Sequence, residues 1–157
     1  MPAPREAMTV ARIARLIEAI DPEAEEMDGR AWQLKVEDRI AIVVTDVAAD
    51  RMRIMTPVAK ADHLGEAMLK RLMQANYDTA LDARYALAQD ILWGVFIHPL
   101  SSLDDDLFLS GLGQTINVAR NFGTTFSSGA LSYGGGDSQD LLGHLLIEQL
   151  KKKGSTL

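Results

Sequence analysis

The sequence predicts an α+β fold in which amphipathic helices cover mainly one face of an antiparallel sheet of about five strands. Segments with the apolar spacing of a helix are separated by segments that alternate in the manner of a strand. The turns between the strands are too short for the crossover that a parallel pair needs. The predicted order is helix, three-strand meander, helix, hairpin and helix, with an extra C-terminal helix after a glycine-rich loop.

The first helix is predicted by one apolar stripe at i, i+3, i+4 and i+7, which consists of Ile13, Leu16, Ile17 and Ile20. Asp21 ends this helix because the residue before a proline is pushed out of helical geometry. The acidic run that follows, over residues 23–29, predicts an exposed connection to the sheet.

The meander is predicted over residues 32–56. Alternation of apolar and polar residues at 32–36 predicts a half-buried strand. Residues 39–47 form a nearly continuous β-branched run, which is typical of an interior strand covered on both faces. A third alternating strand, at residues 51–56, is limited by Pro57, which cannot donate to a sheet.

A second helix is predicted to begin at Asp62, which can accept hydrogen bonds from the first turn, and to stop at Asn76. Its apolar row consists of Leu64, Met68, Leu72 and Ala75, with Met73 beside it. A hairpin follows, with strands at residues 83–88 and 91–97 joined by a turn at Gln89-Asp90.

The third helix is predicted to begin with Ser102 as its cap and Asp105 three residues later, a carboxylate variant of the capping box. Its buried row consists of Leu109, Leu112, Ile116 and Ala119. We therefore divide the chain into an α+β domain (residues 1–122), a Gly/Ser-rich loop (residues 123–137) and a C-terminal amphipathic helix (residues 138–157).

Composition narrows the classes of function. The chain has 157 residues and no cysteine, which excludes disulfides, thiolate metal sites and cysteine nucleophiles. Its net charge of −6 argues against a nucleic-acid partner, because such binding needs basic surface. The N-terminal residues lack the apolar run of a signal peptide, and no apolar window reaches the roughly 20 residues of a membrane span. We expect a cytoplasmic protein with no membrane partner.

Candidate catalytic motifs are weak. Gly111-Leu112-Gly113 starts a dinucleotide-binding pattern inside a helix and lacks its third glycine. Asp104, Asp105 and Asp106 point in different directions on a helix, so they suit a helix start better than a metal ion. The histidines, at positions 63, 98 and 144, lie far apart in the sequence. We therefore expect no catalytic, cofactor-binding or metal-binding residues, and no enzyme.

The order of elements resembles class I type III secretion chaperones and the related YbjN-like family over about residues 5–122. The most similar stretch runs from Leu69 to Leu112 and includes Trp93 and Pro99-Leu100. The resemblance implies an acidic cytoplasmic homodimer that holds an unfolded segment of a secreted effector without ATP. It implies a dimer contact on the second helix, formed by Leu64, Met68, Leu72 and Met73. It also implies an apolar partner surface near the first helix and the sheet, including Ile13, Ile17, Met52 and Ile54.

Two classes of function remain open at this point. The first is a non-enzymatic protein-binding module, a chaperone or adaptor that holds an apolar segment of a partner protein. The alternative is a small-molecule-binding domain or an enzyme whose site is assembled from dispersed residues. We favour the first because no convergent polar groups are visible in the sequence. The sequence identifies neither the protein partner nor a role in secretion.

The C-terminal helix carries an apolar stripe that includes Leu141, Leu145 and Leu150, and a glycine-rich loop tethers it. We predict that it docks on an apolar surface of its own domain or of the other subunit, where it shields a surface that partners use. The alternative is a permanently packed core helix, and the sequence leaves both open.

Overall fold

The computed structural model describes residues 8–78 and 81–122, which form three α-helices and six strands. A single 3-10 turn (Ala61–His63) precedes the second helix. The elements in chain order are α1 (Val10–Ile20), β1 (Glu25–Met27), β2 (Ala31–Val36), β3 (Arg39–Asp46), β4 (Arg51–Lys60), α2 (Glu66–Asp78), β5 (Arg84–Ala88), β6 (Ile91–His98) and α3 (Asp105–Asn121). This confirms the predicted α+β class. The predicted loop (123–137) and C-terminal helix (138–157) lie outside the described residues.

The strands form one sheet in the order β1-β2-β3-β4-β6-β5, and every neighbouring pair is antiparallel. Two-residue turns join β2 to β3 and β5 to β6. Glu37 and Asp38 in the first turn have φ of 50° and 66°, and Gln89 and Asp90 in the second have 54° and 60°. Such left-handed pairs match the twist of the flanking strands. These two turns mark what we call the upper rim of the sheet, and the β3–β4 turn marks the lower rim.

The sheet has one strand more than the expected five or so. The acidic run predicted as an exposed connection contains the edge strand β1, which pairs Glu25 with Gln33 and Met27 with Ala31. All three of its residues are exposed. The sequence therefore lacks the alternation of apolar and polar residues by which a half-buried strand is predicted. Asp28 and Gly29, at φ 55° and 70°, supply two left-handed positions in the turn that makes this pairing possible.

Two predicted boundaries were also wrong. Strand β4 continues through Pro57 to Lys60, and its pairing with β6 shifts register between Pro57 and Ala59. The irregularity accommodates the missing N–H of proline within the strand. Helix α2 begins at Glu66 rather than Asp62, because the 3-10 turn occupies the intervening chain, and it extends two residues past Asn76.

All three helices pack on one face of the sheet, which we call the covered face. The main core joins α1 and α3 to the inward residues of β2, β3, β4 and β6. A second cluster joins Leu72 and Ala75 of α2 to Tyr85 and Leu92 of the last two strands. Helix α3 approaches the sheet closely, because a Cβ on Gly111 would lie 2.6 Å from the ring of Phe96. The helices therefore cover one face, as predicted.

Helix α3 runs from the lower rim to the upper rim. Its cap is Asp104 rather than the predicted Ser102, and the Asp104 carboxylate accepts from the Leu107 N–H at 2.8 Å. Near this start, Arg12 of α1 donates from Nε to both carboxylate oxygens of Asp105 at 3.1 Å. At the far end, the Arg120 guanidinium pairs with Glu37 in the β2–β3 turn. The chain that follows α3 thus leaves from the upper rim.

Candidate protein-binding surfaces

Polar groups inside the described domain serve the fold. The hydroxyls of Thr45, Thr56 and Thr115 each donate to a backbone carbonyl at 2.7 Å. The Gln114 side chain accepts from the N–H groups of Asp82 and Ala83 at 2.8 and 3.2 Å, and so fixes the loop before β5. Within residues 8–78 and 81–122, no three His, Asp or Glu side chains come together as a metal site. Apolar surface is the more informative feature.

The expected partner surface near α1 and the sheet is occupied by the domain itself. Ile13, Ile17, Met52 and Ile54 are each at most 1% exposed and belong to the main core. The α1 stripe faces the covered side of the sheet, where Met52 and Ile54 also point, so these four side chains pack on their own domain. A partner could reach them only if α1 moved away. Of the residues predicted to bind or cover, Leu141, Leu145 and Leu150 lie outside the described residues.

The predicted row on α2 divides between the core and the surface. Leu72 is buried against the second cluster, while Leu64 and Met68 are half-buried at its margin. Met73 is 69% exposed, because it lies about 100° around the helix from Leu72 and points away from the core. Only part of the row is therefore free to contact another molecule.

Four exposed apolar side chains lie on α2, on the segment after it and on β5, and we refer to them together as the α2 patch. It consists of Met73, Tyr77, Leu81 and Leu87. Tyr77 is 90% exposed and follows Met73 by one helical turn, so both side chains lie on the same side of α2. Leu87 lies on β5, the strand against which α2 packs. Sequence reasoning missed Tyr77, Leu81 and Leu87, because exposure depends on where α2 meets β5.

A set of hydrogen bonds fixes α2 to the edge of the sheet. The Asn76 side chain donates to the Tyr85 carbonyl at 3.1 Å and accepts from the Tyr85 N–H at 2.8 Å. The Tyr85 hydroxyl donates to the Val118 carbonyl of α3 at 2.7 Å, and burial raises the pKa of that phenol well above its usual range. The α2 patch is thus presented by a rigid support.

The second apolar surface is the opposite face of the sheet, which we call the open face. None of the helices described in residues 8–78 and 81–122 lies on it. Its apolar residues come from three adjacent strands and are Ile40, Ile42, Val44, Met55, Pro57, Ile91, Trp93, Val95 and Ile97. Ile42, Met55 and Val95 pair across β3, β4 and β6 and form its central row. Ile40 and Ile97 are 39% and 53% exposed.

Basic side chains border and interrupt the open face. Arg53 lies across the strands between Val44 and Ile97, and Arg51 lies opposite Asp46. Lys35 pairs with Ile40 at the upper rim. The open face therefore combines an apolar centre with basic side chains, although the chain as a whole carries a net charge of −6. Such a surface favours a partner that is both apolar and acidic.

The lower rim is fixed by Asp50, which sits at φ 53° in the β3–β4 turn. Its carboxylate accepts from the Ser101 hydroxyl at 2.6 Å and from the Ser101 N–H at 2.8 Å. These hydrogen bonds lower the pKa of Asp50, because they stabilise its charged form. The turn and the segment that leads into α3 are thereby held together.

None of the helices in the described part of the chain is long and apolar enough to cross a membrane. Sequence comparisons identify no relative, since neither a family model nor a curated protein matches the chain.

Solved structures do match. A chain of the ExsC–ExsE complex is 14% identical, with a TM-score of 0.59, over 76% of this chain and 96% of that one. A chain of the HopA1–SchA chaperone–effector complex is 8% identical, with a TM-score of 0.56, over 72% of this chain and 94% of that one. A chain in the structure of the Yersinia pestis type III secretion chaperone SycH with a fragment of YscM2 is 13% identical, with a TM-score of 0.51, over 68% of this chain and 95% of that one. At such identities the likeness shows the fold alone: the described domain shares its fold with chains of these three complexes.

Proposed function

We propose that this protein is a non-enzymatic protein-binding module, a cytoplasmic chaperone or adaptor that holds an apolar segment of a partner protein without ATP. The observation that carries the proposal is the shared fold, because the structural neighbours are described as complexes with protein partners. The apolar open face and the α2 patch supply surfaces of the kind that protein partners use. A secreted effector is one such partner, and the YbjN-like resemblance allows the same binding role outside secretion.

We assign the proposed homodimer contact to α2. The α2 patch places Met73 and Tyr77 on one exposed side of a helix, whereas half-buried Met68 packs toward the second cluster. A two-fold dimer uses one self-complementary patch on both subunits, and two such helices packed together would cover these side chains on both. In this proposal Met73 remains in the dimer contact and Tyr77 is added to it. Leu72 does not touch the partner and supports the contact from within the core.

The dimer is tested by sedimentation of the full chain at micromolar concentration. Tyr77→Asp and Met73→Asp should shift the protein toward a monomer, because each introduces a charge into the interface. Ala48→Asp adds the same charge at an exposed position of the β3–β4 turn, outside the α2 patch, and serves as the control. A monomeric parent protein, or variants and control that sediment alike, would contradict the α2 contact.

The binding role is tested by co-expression of the full chain with proteins encoded beside its gene, followed by purification in the absence of nucleotide. We expect a stable complex in which limited proteolysis spares one apolar segment of the partner. Addition of ATP should leave the yield of complex unchanged. A complex that forms only with nucleotide, or a partner whose whole chain stays protease-sensitive, would contradict the proposal.

A further inference from the structure

We propose that the open face of the sheet binds the leucine-rich segment of the same chain, residues 138–150, as an amphipathic helix. The inference assigns one occupant to a surface that the described helices leave uncovered. It concerns a contact within the chain and does not depend on the proposed binding of a partner protein.

The first argument is the composition of the open face. An antiparallel sheet with one face in water normally shows polar residues at its outward positions. Here every outward residue of β6 is apolar, namely Ile91, Trp93, Val95 and Ile97. Strand β3 adds Ile40, Ile42 and Val44, which gives it the continuous apolar run of a strand covered on both faces. Strands β3 and β6 thus have the sequence of strands that are covered on both faces.

The described domain ends near the upper rim of the sheet, from which the open face can be reached. Helix α3 ends at the upper rim, where Arg120 pairs with Glu37, so the following residues start beside the edge of the open face. A Gly/Ser-rich connection of the length of residues 123–137 can span about 20 Å, which exceeds the roughly 10 Å between packed layers. The leucine-rich segment as a helix would be about 20 Å long, comparable to the strands beneath it.

The charge of the segment also suits the open face. Residues 138–150 contain Asp140 and Glu148 and no lysine or arginine, and the three lysines at 151–153 follow Leu150, the last leucine of the stripe, while the open face offers Arg51, Arg53 and Lys35. An acidic amphipathic helix can place its leucines on the central row and its carboxylates near the basic side chains. A second copy of the open face would instead set arginines against arginines. The observations therefore favour the leucine-rich segment as the occupant.

Cross-linking tests the contact directly in the full chain. The protein has no cysteine, so a disulfide between two introduced cysteines has one interpretation. Met55→Cys combined with Leu145→Cys, and Met55→Cys combined with Leu141→Cys, sample the central row against successive turns of the segment. Glu18→Cys with Leu145→Cys is the control, because Glu18 lies on α1, on the other side of the sheet. We expect an intramolecular disulfide in at least one Met55 pair and not in the control.

Quenching of tryptophan fluorescence by acrylamide gives an independent measurement. Trp93 lies on the open face, whereas Trp32 is 3% exposed on the covered face and contributes little to quenching. Leu145→Asp should release the segment and raise the quenching severalfold. His144→Asp places the same charge on the other side of the predicted helix and should leave the quenching unchanged.

The outcomes separate the possible occupants. An intramolecular cross-link together with a Leu145→Asp effect that is independent of protein concentration supports the inference. Cross-links between chains, or protection of Trp93 that rises with concentration, would overturn it in favour of a second copy. Equal quenching in the parent, Leu145→Asp and His144→Asp proteins would overturn it in favour of a face left for another protein. The last result would leave the proposed binding function intact.

Discussion

The two faces of the sheet are built from the same strands and differ in what covers them. On β6, Phe96 is 1% exposed under α3, while its neighbour Ile97 is 53% exposed on the open face. Both residues are large and apolar, so hydrophobicity alone does not reveal which of them stabilises the domain. An apolar outward position therefore becomes part of a core only when a second layer packs on it, from the same chain or from another.

The largest expected difference between the faces is in the cost of truncation. Phe96→Ala should lower the free energy of unfolding by about 3–5 kcal/mol, because it leaves a cavity beneath α3. Ile97→Ala should lower it by about 1 kcal/mol or less, since that side chain is 53% exposed near the lower rim, beyond the central row on which the leucine-rich segment is proposed to pack. Urea unfolding of the full chain measures both values. Equal losses at the two positions would mean that the open face is as well covered as the other.

A second prediction concerns the space around an added methyl group, which is filled beneath α3 and open at the surface. Gly111→Ala should cost about 1–3 kcal/mol, because the added methyl would meet the Phe96 ring at 2.6–2.8 Å in a filled core. Gly65→Ala, where nothing lies within 4 Å of the new methyl, should stay within about 0.5 kcal/mol. Thermal unfolding of both variants tests the close approach of α3. If Phe96→Leu combined with Gly111→Ala failed to recover part of the loss, steric contact would not be the cause.

The covered face is also secured at its margin by the Arg12–Asp105 pair between α1 and α3. Both side chains are more than one third exposed, so solvent screens the attraction, and we expect the pair to contribute about 0.2–1 kcal/mol. A double-mutant cycle with Arg12→Leu and Asp105→Asn, at low and high salt, measures the coupling. A coupling that does not fall with salt would show that packing of the Arg12 stem, and not its charge, joins the helices.

The smallest expected effect is at the lower rim. The folded pKa of Asp50 lies below its usual value, so its contribution is present at neutral pH and is lost as pH falls below about 4. Asp50→Asn should therefore lower Tm by a few degrees or less at pH 7, and the difference from the parent should shrink toward pH 3. A difference that stays constant across this range would assign the effect to the turn geometry and not to the charge.

Much of the covered side could be predicted from the sequence, because helices and inward strand positions repeat a simple period. The stripe of Ile13 and Ile17 and the alternation of Met52 and Ile54 were predicted as apolar faces, and the structure joins them. Which surface covers these side chains was not predictable, because a periodic pattern identifies the apolar side of an element and not the molecule that packs on it. For this reason they were predicted as a partner surface and are found in the core.

The missed features depend on pairing across the chain. Strand β1 has no apolar alternation, so only its partner β2 identifies it. Pro57 remains inside β4 because a register shift accommodates it. The exposure of Tyr77 on α2 depends on how that helix meets β5, which no spacing in the sequence reports. Predictions on the dimer contact and on the C-terminal helix stay predictions.

The short strand β1 has a consequence for how these molecules can associate. It carries Glu25 and Glu26, both exposed, on a terminal edge that no other strand of residues 8–78 and 81–122 adjoins on its outer side. A second β1 placed alongside would set glutamates against glutamates, and such like-charge pairing is one way in which proteins prevent edge-to-edge growth. This edge thus protects the sheet from fibre-like stacking of identical chains, even though the same sheet exposes an apolar face.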